Sequence, residues 1–509
     1  MLLLLLACLV ETRVNPTEPD PADGRAPDTA VIADTAAPGP DDPVVDDTDE
    51  TAVDDTDTPD DTDEPVDTDE PVDTGEPVDT GEPDEPVDTD PPSGTADPCA
   101  DAPTIECPSD TLDPTPCTSG VAAWLPSGTT YATVAAALRA ASRGDTVAIC
   151  PGTHTETVTV STRGLTLRGY GASSTVLDGA DAGTTLAITA PDLVITDLTV
   201  TGGANPAAAG GGVYAASADV RLCDVTVTGN AAYNGAGVAI DTGTLDLVRT
   251  TITNNAASYA GGGVYAGSAV VTAVDAGFAS NSAGYSGGGL FIATEGTLAV
   301  YGSAFDDNTT GHEGGGVGVN GSSLGGGACF VDTTFTGNAS EHAGGAVSSN
   351  GWGSMTFGYE DCTFYANKAA FGGGAIAYQQ WDSDTSVTVN STFVDNKSGD
   401  QGGAIDMSGG WGTIDASFYQ TTFDGNRAPL AGAIQAGGVG TEILTLVDGA
   451  VTANSAKWAG AIYLDATTTI DSVNVDFGTG SDDNDPDDVY GYSGYGAAAT
   501  FSCAAGVCR

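Results

Sequence analysis

The chain has 509 residues, with 71 Asp and Glu against 13 Lys and Arg, for a formal net charge of −58 at pH 7. Residues 9–98 hold 31 of the acids and two of the bases, so 40 acids and 11 bases lie elsewhere and each part is strongly negative. A polyanion without a basic stripe of interleaved aromatics repels phosphate backbones, which argues against nucleic acid and for cations or basic surfaces as partners.

The first eight residues, MLLLLLAC, are too short an apolar run to span a bilayer and read as the end of an export signal. Leu5-Leu6-Ala7-Cys8 resembles the bacterial lipobox. That resemblance implies cleavage before Cys8, lipidation of its thiol, and a membrane partner through the lipid anchor. Residues 9–98 follow as Asp/Thr/Pro-rich text, including DEPVDTDEPVDTGEPVDTGEPDEPVDTD from Asp63 onward. So little apolar surface does not offset ordering entropy, and the segment is expected to be a disordered linker.

Residues 99–128 form a Cys-containing entry segment. Ten cysteines suit an exported protein, at the bacterial outer membrane or cell surface or secreted. Cys99, Cys107, Cys117 and Cys150 are placed to brace the entry to the fold, and Cys503 with Cys508 to close a small C-terminal loop. Connectivity stays open. From Thr129 the text TTYATVAAALRAASRGDTVAICPGTHTETVTV gives an amphipathic helix with Val134, Leu138 and Ala141 on one face, then a Gly-Asp turn and a strand. It resembles the opening of pectin-lyase-like folds, and the helix is expected to cap an open strand edge. Leu165–Leu167, Val176–Leu177, Leu186–Ile188 and Leu193–Val200 supply about three irregular coils.

The regular repeats occupy residues 213–464. An apolar residue stands three positions before each of Asn230, Asn255, Asn281, Asn308, Asn338, Asn367, Asn396, Asn426 and Asn454, at spacings of 25 to 30 residues. Eight or nine residues after each Asn a Gly-rich step enters an apolar strand. A period in this range means one unit per repeat that buries its apolar face only by stacking. Abundant Gly, Thr, Ser and β-branched residues in period-two alternation exclude helical repeats. The expected fold is all-β, a right-handed parallel β-helix of about 12 coils over residues 129–477, with an acidic loop and cap at 478–509. Phe278, Phe305, Phe335, Phe364, Phe393 and Phe423 should form an interior column. The Asn should sit at a tight bend in left-handed conformation, its amide bonded to the Asn of the next coil. CTFYANKAAFGGGAI (Cys362–Ile376) resembles the polymorphic outer-membrane protein repeat, whose family implies a surface-displayed parallel β-helix.

Four residues after the Asn, Tyr259, Tyr285, His312, His342, Phe371 and Trp458 fall in one row, with Asp400 interrupting and Leu430 within it. This is the candidate ligand-binding edge, where aromatics stack on sugar rings. His312 with Glu313 and Glu341 with His342 suggest a charged or metal-binding patch, although a hydrophobic edge explains the row without a ligand. Asp483, Asp485 and Asp487 are weak Ca2+ candidates in a run lacking the Gly and Glu of an EF-hand loop. Catalytic residues are not identified. The 11 bases read as scattered, and Asp306-Asp307 is the nearest carboxylate pair. The reading is a noncatalytic surface lipoprotein that presents a binding or adhesion face to polysaccharide or envelope components. The alternative is a polysaccharide lyase or glycoside hydrolase.

Overall fold

The computed structural model describes residue 99, residues 102–321, 326–379 and 381–491, and the backbone of 503–504 and 507–508. Cys8, the export signal, the linker of residues 9–98 and the Cys503 and Cys508 side chains lie outside the described residues.

The protein is a parallel β-solenoid. The coil around Asn338 shows how the sequence builds it. Thr334–Thr336 is a strand with Phe335 inward, and Gly337 makes a left-handed bend at φ 65°. Asn338 turns inward, Ala339–Ser340 pairs briefly, and the chain passes His342 to Gly344 and Gly345. Val347–Ser349 forms the next face, a corner carries Trp352, and Met355–Glu360 forms the face after that. A second left-handed residue, Asp361, then closes the coil. The first strands of successive coils form a 12-stranded sheet, and the short strands after the Asn form an eight-stranded one. The other two faces join into one 25-stranded sheet, because strands such as Val264–Val274 run unbroken around the corner between them.

Glycine is required between coils. A Cβ at Gly345 would lie 2.2 Å from the Gly374 carbonyl oxygen of the next coil. The Gly-rich steps are therefore packing sites, and nothing in their surroundings makes them phosphate loops.

Two interior columns fix the register. The Phe rings from Phe278 to Phe423 stack with centroids 4.5 to 5.0 Å apart, all fully buried. Beside them runs an amide ladder. Asn338 donates from Nδ2 to the Phe305 carbonyl at 2.7 Å and to Asn367 Oδ1 at 3.0 Å. Its own Oδ1 accepts from both the backbone N–H and Nδ2 of Asn308. The expected amide-to-amide bond is present at every step from Asn230 to Asn454. The expected left-handed Asn is corrected, however. Positive φ falls one residue earlier, at Gly229, Asn254, Ser280, Asp307, Gly337, Ala366, Asp395, Gly425 and Ala453, while the Asn that follows is buried. The bend turns the chain inward, and the amide then satisfies the backbone groups that the bend exposes. The ladder also extends one rung further, to Asn484 within the acidic run, which accepts from Asn454 at 3.0 and 3.1 Å.

The first coil is capped as the amphipathic pattern predicts. The helix Val134–Ala140 buries Val134, Ala137 and Leu138, with Ala141 buried at its C-cap. Thr133 Oγ1 accepts from Ala136 N, and the Glu156 carboxylate accepts from the N–H groups of Val134 and Ala135 at 2.7 and 3.0 Å. Ala123–Trp124 pairs antiparallel with both Thr130–Tyr131 and Thr146–Ile149, which adds a strand to the exposed edge.

The entry segment is a strap. Disulfides join Cys117 to Cys150, Cys107 to Cys223 and Cys99 to Cys329. The register from the first to the last runs Ala148, Arg168, Thr196, Cys223, Val248, Val274, Tyr301, Val331, so the strap passes seven coil steps. At one strand spacing per step that is roughly 35 Å along one face. Between the disulfides, Arg168 pairs with Asp110 at 2.8 Å, and Arg221 donates to the Glu106 carbonyl at 2.9 Å. Cys362 is a buried free thiol, pushed up to about 12 by burial.

Two outcomes check this account. Asn338→Ala should destabilise by about 2–4 kcal/mol, the cost of leaving several buried partners unsatisfied. Asn338→Gly should cost at least as much in denaturant unfolding, whereas a bend-making Asn would tolerate Gly. Peptide mapping without reduction should recover the pairs 99–329, 107–223 and 117–150, with Cys362 alkylated only after unfolding; any other pairing among these seven refutes the strap.

Candidate functional site

Rows of side chains at equal positions in successive coils make the candidate sites. On the edge after the Asn, six rings form one unbroken stack. The centroid steps are Tyr233–Tyr259 5.4 Å, Tyr259–Tyr285 5.0 Å, Tyr285–His312 5.1 Å, His312–His342 4.5 Å and His342–Phe371 5.2 Å. All but the last are near parallel. Tyr233 was not expected, since it stands three residues after its Asn instead of four. Trp458 is apart from this stack, in contact with Tyr490 at 6.1 Å and beneath Lys457 Nζ at 5.2 Å.

The stack changes what the edge can do. Each interior ring has both faces against its neighbours, so it offers solvent only ring edges, phenol hydroxyls and imidazole nitrogens. Sugar stacking needs an open face. In this row open faces occur only at the ends, beginning with Phe371, which is 52% exposed. Much of the row is therefore an aromatic spine that shields the turn.

A second aromatic row lies on the corner between the two long faces. Trp352 and Trp381 stack at 5.1 Å, and Trp411 follows one coil later, 74% exposed. Sequence reasoning missed this row, although the tryptophans stand 14, 14 and 15 residues after Asn338, Asn367 and Asn396.

Inside the His step is a buried acid. Glu313 is 3% exposed and its Oε1 lies 3.2 Å from His312 Nδ1 and 3.6 Å from His342 Nδ1. Its Oε2 accepts from Asn350 Nδ2 at 2.5 Å. Burial raises the Glu313 carboxyl, but His312, Asn350 and the imidazole charges outweigh it and hold the pKa below the usual value. The Glu313 interaction raises His312 against its burial, whereas burial and the His312 charge lower His342. Glu341, the other acid of the patch, is exposed on the outer side.

Among the described residues, His312, Glu313 and His342 are the one set of three or more His, Cys, Asp or Glu close enough to hold a metal ion. Asp483, Asp485 and Asp487 remain exposed and do not form such a set.

The bases are not scattered, as sequence reading had them. Lys368, Lys397 and Arg427 are register partners in consecutive coils, all exposed, and Lys457 lines the same cleft as Lys397 and Arg427 together with Asp485. The Lys and Arg ion pairs of the described residues engage Arg163, Arg168, Arg221 and Arg249. Lys368, Lys397, Arg427 and Lys457 are in none of them.

Acids with raised pKa lie elsewhere and are sealed. Burial pushes Asp384 and Asp406 up to about 7. Asp384 accepts from Ser349 Oγ at 2.7 Å and Met355 N at 3.2 Å, and Asp406 is fully buried. Asp306 is half-buried and raised by burial and by the Asp307 charge, but its strand Ala304–Asp306 belongs to the 12-stranded sheet, whereas Lys368 and Lys397 lie in the eight-stranded one.

No family model, curated protein or solved structure matches the chain. Fold and site geometry therefore carry the functional argument alone.

The paired histidines should titrate apart. Imidazole NMR is expected to place His312 above and His342 below the ordinary value of about 6.5, and Glu313→Gln to lower His312. Equal titration of the two rings would refute this asymmetry.

Proposed function

We propose that the protein is a noncatalytic, exported β-solenoid that displays a binding face to anionic polysaccharide at the bacterial cell surface. The column of Lys368, Lys397 and Arg427, with Lys457 in the adjoining cleft, carries this reading. It is a run of unpaired cations on a chain of net charge −58, in coils otherwise rich in carboxylates. Three of the bases follow one another at the strand spacing, a repeat that a polymer of uronic or sulfated sugars can engage along its length. Trp458, 47% exposed beside Lys457, supplies an aromatic surface at the end of the column.

Export, lipid anchoring through Cys8 and kinship with polymorphic outer-membrane protein repeats or pectin-lyase-like proteins belong to the same proposal. Three disulfides on the solenoid support an oxidising compartment. The noncatalytic reading is supported by the sealed state of the acids most shifted toward neutrality. A general acid must reach its substrate oxygen within hydrogen-bond distance, and Asp384 and Asp406 do not reach solvent.

The test is binding of the full chain to uronic-acid, sulfated and neutral polysaccharides. Anionic polymers should bind and release with salt, and Lys397→Glu with Arg427→Glu should reduce binding at least tenfold. Equal binding of neutral polymers, or no effect of the charge reversals, would overturn the face. Appearance of unsaturated products or new reducing ends would overturn the noncatalytic part.

A further inference from the structure

We infer that His312, Glu313 and His342 form a binding site for one borderline divalent transition metal ion, of the Zn2+ or Cu2+ kind. The site is separate from the basic column and does not depend on the polysaccharide reading.

The first observation is the donor set. Two imidazoles and a carboxylate come from adjacent coils, with all three ligand atoms within 4.8 Å of one another. At metal–ligand distances of about 2.0–2.2 Å, tetrahedral ligands stand roughly 3.3–3.5 Å apart. The two Nδ1-to-Oε1 separations, 3.2 and 3.6 Å, bracket that edge.

The second observation is unmet bonding. The Nδ1 atoms of both histidines are buried and have no hydrogen-bond partner of acceptable angle, although Glu313 is beside them. A carboxylate hydrogen-bonded in the plane of each ring would satisfy them. Here the rings are parallel at 4.5 Å, and the one oxygen between them lies in neither favourable direction. A cation held by all three groups satisfies both lone pairs and the carboxylate together once the rings turn.

The third is support around the acid. Asn350 holds the other Glu313 oxygen, as an outer partner holds a ligating carboxylate in place. Glu313 is only 3% exposed, which leaves little room for it to turn away.

Parallel rings do not aim both lone pairs at one point, so binding turns each imidazole about χ2 until the Nδ1 ends converge. Their outer parts, about 40% exposed, leave room for that rotation and for a water as further ligand. Any proton on a ligating nitrogen leaves on binding. Imidazole nitrogen favours Zn2+ and Cu2+ over Ca2+ and Mg2+, which take oxygen donors.

The experiment uses the full chain with Cys8, Cys503 and Cys508 changed to Ser and with millimolar Mg2+ present to occupy exposed acids. Titration calorimetry with Zn2+ should give one site per chain. His312→Gln, His342→Gln and Glu313→Gln should each weaken it at least tenfold. Cu2+ added at one equivalent should show nitrogen couplings from two imidazoles by electron paramagnetic resonance, reduced to one in either His variant. Unchanged Zn2+ binding in His312→Gln with His342→Gln, or a Cu2+ spectrum without imidazole nitrogen, overturns the assignment. The two half-exposed histidine variants decide the matter if Glu313→Gln alters folding, and melting without metal identifies that case.

Discussion

The structure depends on one repeated interaction: the side-chain amide of each buried Asn bonded to the next. In the regular coils, from Asn230 onward, the left-handed bend exposes backbone groups to the interior, where water does not reach. An amide has both an acceptor and two donors, so one side chain satisfies the carbonyl of the preceding coil, the amide of the following one, and the N–H of the coil before. Asp lacks the donors, Ser lacks the reach, and Gln adds a methylene to a column already at contact distance. With this ladder and the Phe column in register, the remaining corners vary in length, and spacings from 25 to 30 residues are tolerated.

Registered stacking brings like residues into contact, with consequences that depend on chemistry. For Phe the contact buries apolar area and adds about 0.5–1.5 kcal/mol per pair beyond it. For the outer Tyr and His row it consumes ring faces, so a row that reads in sequence as a sugar platform becomes largely a spine. The tryptophans at the other corner keep more surface open, because only Trp352 and Trp381 are in contact.

The period, both ladders and the capping helix were legible because they repeat at fixed offsets from the Asn. The left-handed bend was assigned one residue late because Asn is itself a common left-handed residue, while the residues that adopt the bend range from Gly to Ala, Ser and Asp. Asn484 escaped because Phe477 stands seven residues before it instead of three. Tyr233 escaped by a similar one-residue shift. Cys223 and Cys329 were invisible as partners because a strap that doubles back along the coils leaves no periodic signal. Glu313 was legible only as a neighbour of His312; its burial between two imidazoles depends on how far the edge folds over the adjacent face.

The basic column shows how a position-by-position reading of a solenoid differs from reading its composition. The residue after each ladder Asn runs Ala231, Ala256, Ser282, Thr309, Ala339, then Lys368, Lys397, Arg427, then Ser455 and Asp485. Small neutral residues meet the needs of the turn in the first five coils, so neither packing nor the bend calls for a cation in the next three. Placing like charges on register partners of adjacent coils is unfavourable, though solvent screens it. Carboxylates abound in this chain, yet the described ion pairs go to other bases. The column thus carries a repulsion that neither the turn nor the packing requires, and no ion pair among the described residues relieves it, although Asp485 lines the same cleft.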